Sequence, residues 1–284
     1  MTEILPLFHS YYNEEKGTKT LYHFTSSKSF FLILDDLKLK ISSFKYLNDL
    51  NEANLRNFEF QNKEFRDELK EYIDNNCGII SFSQDYQIKG FPIKGINHPA
   101  MWAHYAGNSE GVCIAIDKDL FIKKNKNILS RKKSFYRFGS VRYRSINAPR
   151  NVVYNGEKLS EFIKKYYKSL FFLKHIDWQN EYEYRLFIMG NNEKLSIDGC
   201  IKYVVLGIKF YDNKKSMNEL IDKITNSKSM CFRKFVPHSF AVAVYGIGGY
   251  RADGVLAVHG ICDVIESKVS DYKDYKDYLA EMQK

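Results

Sequence analysis

A chain of 284 residues with 44% hydrophobic and 27% charged side chains has the composition of a globular protein. That excludes wholesale disorder and allows one large domain or two small ones. Lys plus Arg total 43 against 34 Asp plus Glu, a formal charge of +9, which favours acidic partners such as RNA, DNA or a nucleotide phosphate but says nothing of fold. No run approaches the ~20 apolar residues of a membrane span, so no membrane partner is expected.

The first ten residues, MTEILPLFHS, lack the basic start and small-residue cleavage site of a secretory signal. The five cysteines (Cys77, Cys113, Cys200, Cys231, Cys262) are odd in number and far apart. They form no zinc-type pair, so they read as free thiols of a reducing, cytoplasmic setting, with no metal expected. Aromatic residues reach 15%, with 21 Tyr and 21 Phe but only 2 Trp. That favours a sheet-rich core and aromatic-lined clefts.

In chain order, Thr20–Phe24 (TLYHF) predicts a short strand, followed by Thr25-Ser26-Ser27 as a cap and a helix over Lys28–Asp35. Leu37–Ser42 alternates apolar and polar, as a half-buried strand does. Asn48–Asn76, dense in i,i+4 charge pairs, predicts a long and largely exposed helix. Cys77–Ser83 is a strand ending in Ser81-Phe82-Ser83, and Gln84–His98 a loop punctuated by Gly90, Pro92 and Gly95. Pro99 opens a short helix over Ala100–Ala106, stopped by Gly107, and Gly111–Asp117 is a buried strand.

Further on come a helix over Glu157–His175 and strands over Tyr182–Met189 and Ile201–Phe210. A helix near Met217–Thr225, strands at Phe240–Gly246 and Gly254–His259, and a polar tail from Asp271 complete the chain. Helices and strands mix without strict alternation and no linker separates them. The fold class is therefore α+β: residues 1–284 as a single domain, with a compact, mostly antiparallel sheet and flanking helices. No GxGxxG or GxxxxGK[ST] motif occurs, so dinucleotide-fold and P-loop readings fail.

Three stretches carry candidate chemistry, and a fourth is a candidate binding path. In Glu181-Tyr182-Glu183-Tyr184-Arg185, strand alternation would put both acids and the arginine on one face. Paired carboxylates with a neighbouring guanidinium suit the stabilisation of a cationic transition state, although a solvated edge strand explains the same pattern. Trp102 and Tyr105 share a helix face, to pack on the core or to wall a pocket, while His104 points off it. His23 ends a strand just before a helix, where it can reach a ligand hydroxyl or phosphate, although a lone His is more often structural. The segment from Phe121 to Arg150 gathers Lys132, Lys133, Arg137, Arg142 and Arg144 with Tyr136, Phe138 and Tyr143 between them. It reads equally as a solvated loop or as a path for a nucleic-acid strand.

Taken in order, LYHFTS, FKYLNDLNE, SFSQD, MWAHYAGNSEGVCIAID, W-x-x-E-x-E-x-R-L and IKYVVLGIKF resemble the bacterial domain-of-unknown-function family 2971 over residues 20 to 210. Residues 211–284 would extend the same domain. That family in turn resembles the ADP-ribosyltransferase superfamily, whose motifs are a His or Arg on a first strand, an aromatic or Ser-x-Ser strand and a Glu on a later strand of a split sheet. The resemblance implies NAD as substrate, with Glu181 or Glu183 catalytic. It implies that Tyr22, His23, Ser81, Phe82, Ser83, Trp102, Tyr105 and Arg185 hold the dinucleotide. The basic segment would then bring in an acidic or nucleic-acid acceptor, as in a toxin or an anti-phage effector. The chain departs from the superfamily pattern in having Phe24 directly after His23. The alternatives are an RNA-binding or RNA-cleaving protein without NAD chemistry, and a non-catalytic nucleotide sensor.

Overall fold

The computed structural model describes residues 19–46, 55, 58–60, 63–88, 91–131, 134–145, 150–151, 156–190, 193–210, 213–226 and 242–245. Strand β1 (Thr20–Thr25) leads into helix α1 (Ser27–Asp36), whose cap Ser26 accepts from the Ser29 N–H. The predicted strand after it is two short pieces, β2 (Lys38–Leu39) and β3 (Ser42–Ser43). A two-residue β4 (Phe58–Glu59) precedes α2 (Lys63–Asn76) and the long β5 (Cys77–Gln84). Helix α2 buries Phe65, Leu69 and Ile73, an i,i+4 apolar stripe that makes it amphipathic rather than largely exposed.

The expected loop after β5 contains a hairpin, β6 (Tyr86–Ile88) with β7 (Phe91–Ile93), before α3 (Pro99–His104) and β8 (Val112–Asp117). Among its described residues the basic segment is mostly regular structure rather than loop. It holds α4 (Lys118–Lys124), α5 (Lys126–Leu129), β9 (Phe135–Ser140), β10 (Arg142–Arg144) and β11 (Arg150–Asn151). Next, α6 (Leu159–Phe171) ends before β12 (Leu173–His175), and β13 (Glu183–Met189) follows a 3-10 turn over Ile176–Glu181. After β14 (Leu195–Ser196) come β15 (Ile201–Gly207), α7 (Lys214–Asn226) and β16 (Val242–Tyr245). The expected strand at Gly254–His259, the tail, Cys231 and Cys262 lie outside the described residues, as do Lys132 and Lys133.

The main sheet runs β16-β15-β8-β1-β5-β13-β9, antiparallel except where β16 lies parallel to β15. Strand β13 is buried along its whole length, as a central strand covered on both faces must be. The inner edge of β5 is shared. Leu21 and Tyr22 of β1 pair with Gln84 and Ser83, whereas Ser42 and Ser43 of β3 take over at Ile79 and Gly78. Leu21, Phe82, Ile114, Leu186 and Val204 pack one face of the sheet against α1. The other face is covered in two patches, around Trp102 of α3 and around Phe162 and Phe171 of α6.

The takeover of β5 by β3 requires a glycine. A Cβ at Gly78 would lie 2.9 Å from the Ser42 carbonyl oxygen and would overlap the Ile41 side chain. Gly78→Val is expected to lower stability by about 1–3 kcal/mol through overpacking, read as a lower denaturant midpoint with an unchanged slope.

Candidate functional site

Register places Tyr22 opposite Ser83, Ser83 opposite Glu183 and Ser81 opposite Arg185. Side chains alternate along a strand, so all five point to the same face. This is the face with two apolar patches, and between them it turns polar. Four charged side chains are buried there: Lys174 at 4% exposure, Glu181 at 3%, Glu183 at 2% and Arg185 at 1%.

Glu183 and Arg185 form a bidentate pair, with Arg185 Nε and Nη2 each donating at 2.7 Å, one to each carboxylate oxygen. Arg185 Nη1 donates to the Phe171 carbonyl at 2.6 Å, which ties the pair to the end of α6. The Ser81 side chain lies beside Glu183 and favours its charged form, and the Glu183 N–H donates to the Tyr143 hydroxyl oxygen at 2.8 Å. Glu181 is held differently. Its Oε1 accepts from the Tyr105 hydroxyl and its Oε2 from Lys174 Nζ, both at 2.6 Å. Lys174 also reaches Glu183 Oε2 at 3.3 Å, and its ammonium lies 4.9 Å from the centre of the Trp178 ring. Among the described residues two acids face two bases, the pairing that burial demands.

The two carboxyls are pushed in opposite directions. Burial alone would raise both. For Glu183, the Arg185 and then the Lys174 charge outweigh burial and hold the carboxyl down at about 2. For Glu181, burial outweighs the opposing Lys174 charge, the Glu183 charge adds to it, and the carboxyl sits above its usual range. Tyr105 and Tyr143 are both raised, chiefly by burial, and both feel the two carboxylates.

Glu181 is not in the strand. It ends the 3-10 turn, and Tyr182 between the two acids is left-handed, at φ 45° and ψ 47°. A tyrosine adopts this conformation only at some cost, and here the kink brings Glu181 back beside Glu183. The Tyr182 side chain stacks on Tyr86 of the hairpin at 3.7 Å, and Tyr86 in turn stacks on His98 at 4.6 Å. Burial lowers the His98 imidazole to about 4, against the pull of the Gln84 and Asn180 backbone.

Among the sequence-predicted site residues, Ser81, Ser83, Tyr105, Glu181, Glu183 and Arg185 come together. The Ser83 hydroxyl donates to the Glu181 carbonyl at 2.8 Å. Tyr22 shares their face but is packed in the core, 1% exposed. Trp102 is wholly buried, its indole N–H donating to the Ile96 carbonyl at 2.8 Å, so it packs rather than lining a pocket.

His23 and Phe82 are not brought to the cluster. Alternation sends both to the opposite face, where their rings meet at 5.9 Å. His23 Nδ1 donates to the Ser81 carbonyl at 3.2 Å, and burial lowers its imidazole.

In the basic segment, Tyr136 and Phe138 pack on the core, and the Arg137 guanidinium covers Phe135 at 4.2 Å and Tyr167 at 5.6 Å. These rings are therefore occupied by the protein's own groups. Arg137, Arg142 and Arg144 are themselves exposed. Lys174 and the Tyr182 kink are absent from the sequence reading, and Tyr143, read there as part of the basic segment, meets Glu183 instead. A lone lysine directly after Phe171-Phe172-Leu173 was the available sign, since a cation in an apolar run needs a buried partner.

Residues 101–186 match a family model described as protein of unknown function (DUF2971). The match supports that family for the segment from α3 to β13, which carries Tyr105, Lys174, Glu181, Glu183 and Arg185. No match was found among curated proteins or solved structures. The described residues hold no group of three or more His, Cys, Asp and Glu suited to a metal ion. They also include no helix long and apolar enough to cross a membrane.

The two acids should respond unequally to neutralisation. Glu183→Gln leaves Arg185 buried beside a neutral group and should cost about 3–5 kcal/mol. Glu181→Gln removes a carboxylate that burial already disfavours and should cost far less. The stability held by Glu183 is complete above its unfolded value near 4.5 and lost as pH falls towards about 2. Glu181, raised, acts the other way, destabilising the fold as pH rises through its folded value. Denaturant midpoints of the wild type and both variants, measured between pH 2 and pH 8, test this.

Proposed function

We propose that the buried cluster is the active centre of an ADP-ribosyltransferase-like enzyme that cleaves NAD and passes ADP-ribose to a macromolecular acceptor. The observation that carries this reading is the pairing of the Ser81-x-Ser83 strand directly with the Glu183 strand, with β1 on its other side and Glu181 folded back beside them. The absence of His23 from the cluster departs from the superfamily pattern, and Lys174 and Tyr105 supply the polar contacts to Glu181 instead.

In the reaction, the bond between ribose C1′ and the nicotinamide nitrogen breaks, and its electron pair neutralises the positive ring. The sugar develops oxocarbenium character, which a nearby carboxylate stabilises. The acceptor's oxygen or nitrogen forms the new bond to C1′, and the proton it sheds passes to a carboxylate or to water. In this reading a substrate would approach Glu181 on the side of Tyr105, its half-buried hydrogen-bond partner. Hydrogen-bond donors fixed at 2.6 Å on a buried carboxylate need no rearrangement as charge develops.

The exposed Arg137, Arg142 and Arg144, with Lys164, Lys165 and Lys168 along α6, favour an anionic acceptor such as a nucleic acid. They equally support a second reading, in which the protein binds RNA without NAD chemistry.

Purified protein incubated with nicotinamide-labelled NAD, alone and with RNA, DNA or cell lysate, should release nicotinamide. Glu181→Gln should reduce the rate by at least ~100-fold, the scale set by removing one transition-state contact. No release by the wild type under any of these conditions rejects the enzyme. Arg137→Glu combined with Arg142→Glu should weaken RNA binding and flatten its dependence on salt. Unchanged RNA affinity rejects this face as the acceptor's path.

A further inference from the structure

We infer that the two acids have separate duties: Glu181 is the carboxylate that receives a ligand hydroxyl, and Lys174 is the residue that positions it and keeps it charged, while Glu183 is committed to the fold. The inference gives roles within the site proposed above and rests on that reading only for the identity of the ligand.

The argument is one of capacity. An ionised carboxyl has about four lone-pair positions. On Glu183 three are taken by the two Arg185 donors and Lys174, and the Ser81 side chain stands beside the carboxylate and favours its charged form. A ligand could bond to Glu183 only by displacing one of them and exposing a buried charge. Glu181 accepts two hydrogen bonds, one on each oxygen, from Tyr105 and Lys174. Among the described residues neither oxygen has a second donor, which leaves each a position for a ligand. Tyr105 and Trp178 beside it are half-buried, whereas Glu183 is backed by Arg185 and the Phe171 carbonyl.

Lys174 makes this possible. It stands between the acids, 2.6 Å from Glu181 and 3.3 Å from Glu183, on β12, whose Lys174 lies opposite Tyr143 of β10. Among the described residues, the titratable and charged groups around Glu181 are Lys174, Tyr105, Tyr143, Glu183 and Arg185. Of the two cations, Arg185 is engaged by Glu183 and Phe171, so Lys174 is the counter-charge for Glu181. Without it, Glu181 would face the Glu183 charge in a buried setting and take up a proton.

The test follows the carboxyl carbons of ¹³C-labelled glutamate by NMR in the full chain, with Glu181 assigned from the signal missing in Glu181→Gln. In the wild type, Glu181 should titrate above the ordinary glutamate range and Glu183 should stay ionised to below about pH 3. Lys174→Met should raise the Glu181 midpoint by at least about one pH unit, a tenfold change in its charged fraction, and Lys174→Arg should restore it. Tyr105→Phe, a milder change should the methionine variant not fold, should raise it by less. A Glu181 midpoint indifferent to Lys174→Met and Tyr105→Phe, or a Glu183 midpoint above that of Glu181, overturns the inference, whatever the protein does with NAD. Where nicotinamide release is measured, the acid limb of the Lys174→Met rate profile should move to higher pH, with activity recovering as pH rises. A fixed limb overturns it equally. Wild-type protein that titrates as expected but releases no nicotinamide rejects the NAD reading and leaves the assignment of Glu181 and Lys174 in place.

Discussion

Everything at this site follows from the need to bury two negative and two positive side chains together. None of the four could be sunk between apolar patches alone, since an uncompensated charge there costs several kcal/mol. Strand β13 contributes Glu183 and Arg185, the turn before it Glu181, and β12 Lys174. Their mutual distances, 2.6 to 3.3 Å, therefore constrain how these elements meet. The polar gap on the sheet face persists because the apolar patches around Trp102 and Phe171 stop on either side of it.

The arrangement also separates what two chemically identical groups can do. Glu183 sits in a fork of guanidinium nitrogens and behaves as part of the scaffold. Glu181 rests on one phenol and one ammonium and retains capacity. This is the usual route by which neighbouring carboxyls acquire different roles: their surroundings differ, their chemistry does not. The stacked Tyr182, Tyr86 and His98 rings connect the turn that bears Glu181 to the β6–β7 hairpin, so the position of the acid and that of the hairpin are tied together.

Much of the frame was legible in the sequence. The hydroxyl cap before α1, the proline at the start of α3 and the apolar runs of β5, β8 and β13 are local signals, and they came out within a residue or two. Glu183 and Arg185 were legible because alternation within one strand is a strict rule. The same rule, applied to Tyr22-His23 and to Ser81-Phe82-Ser83, already separates His23 and Phe82 from the residues beside them, and grouping them all in one cavity overlooked it. Other features were not local. Which face of β1 meets Glu183 depends on register, and Lys174 owes its place to the pairing of β12 with β10. The reading of Asn48–Asn76 as exposed followed its abundant charges and missed the Phe65, Leu69 and Ile73 stripe. The basic stretch was read by composition, whereas its aromatic rings are drawn into the core by the pleat of β9.

The left-handed tyrosine sets phase as well as position. By turning the chain at one residue, Tyr182 lets an acid from a turn and an acid from a strand emerge on the same side with a single residue between them. One residue more or fewer there would carry Glu181 to the far side while β13 kept its register, so this short spacing is closed to insertion and deletion. The length of the interval between the acids is therefore set by the geometry of the site.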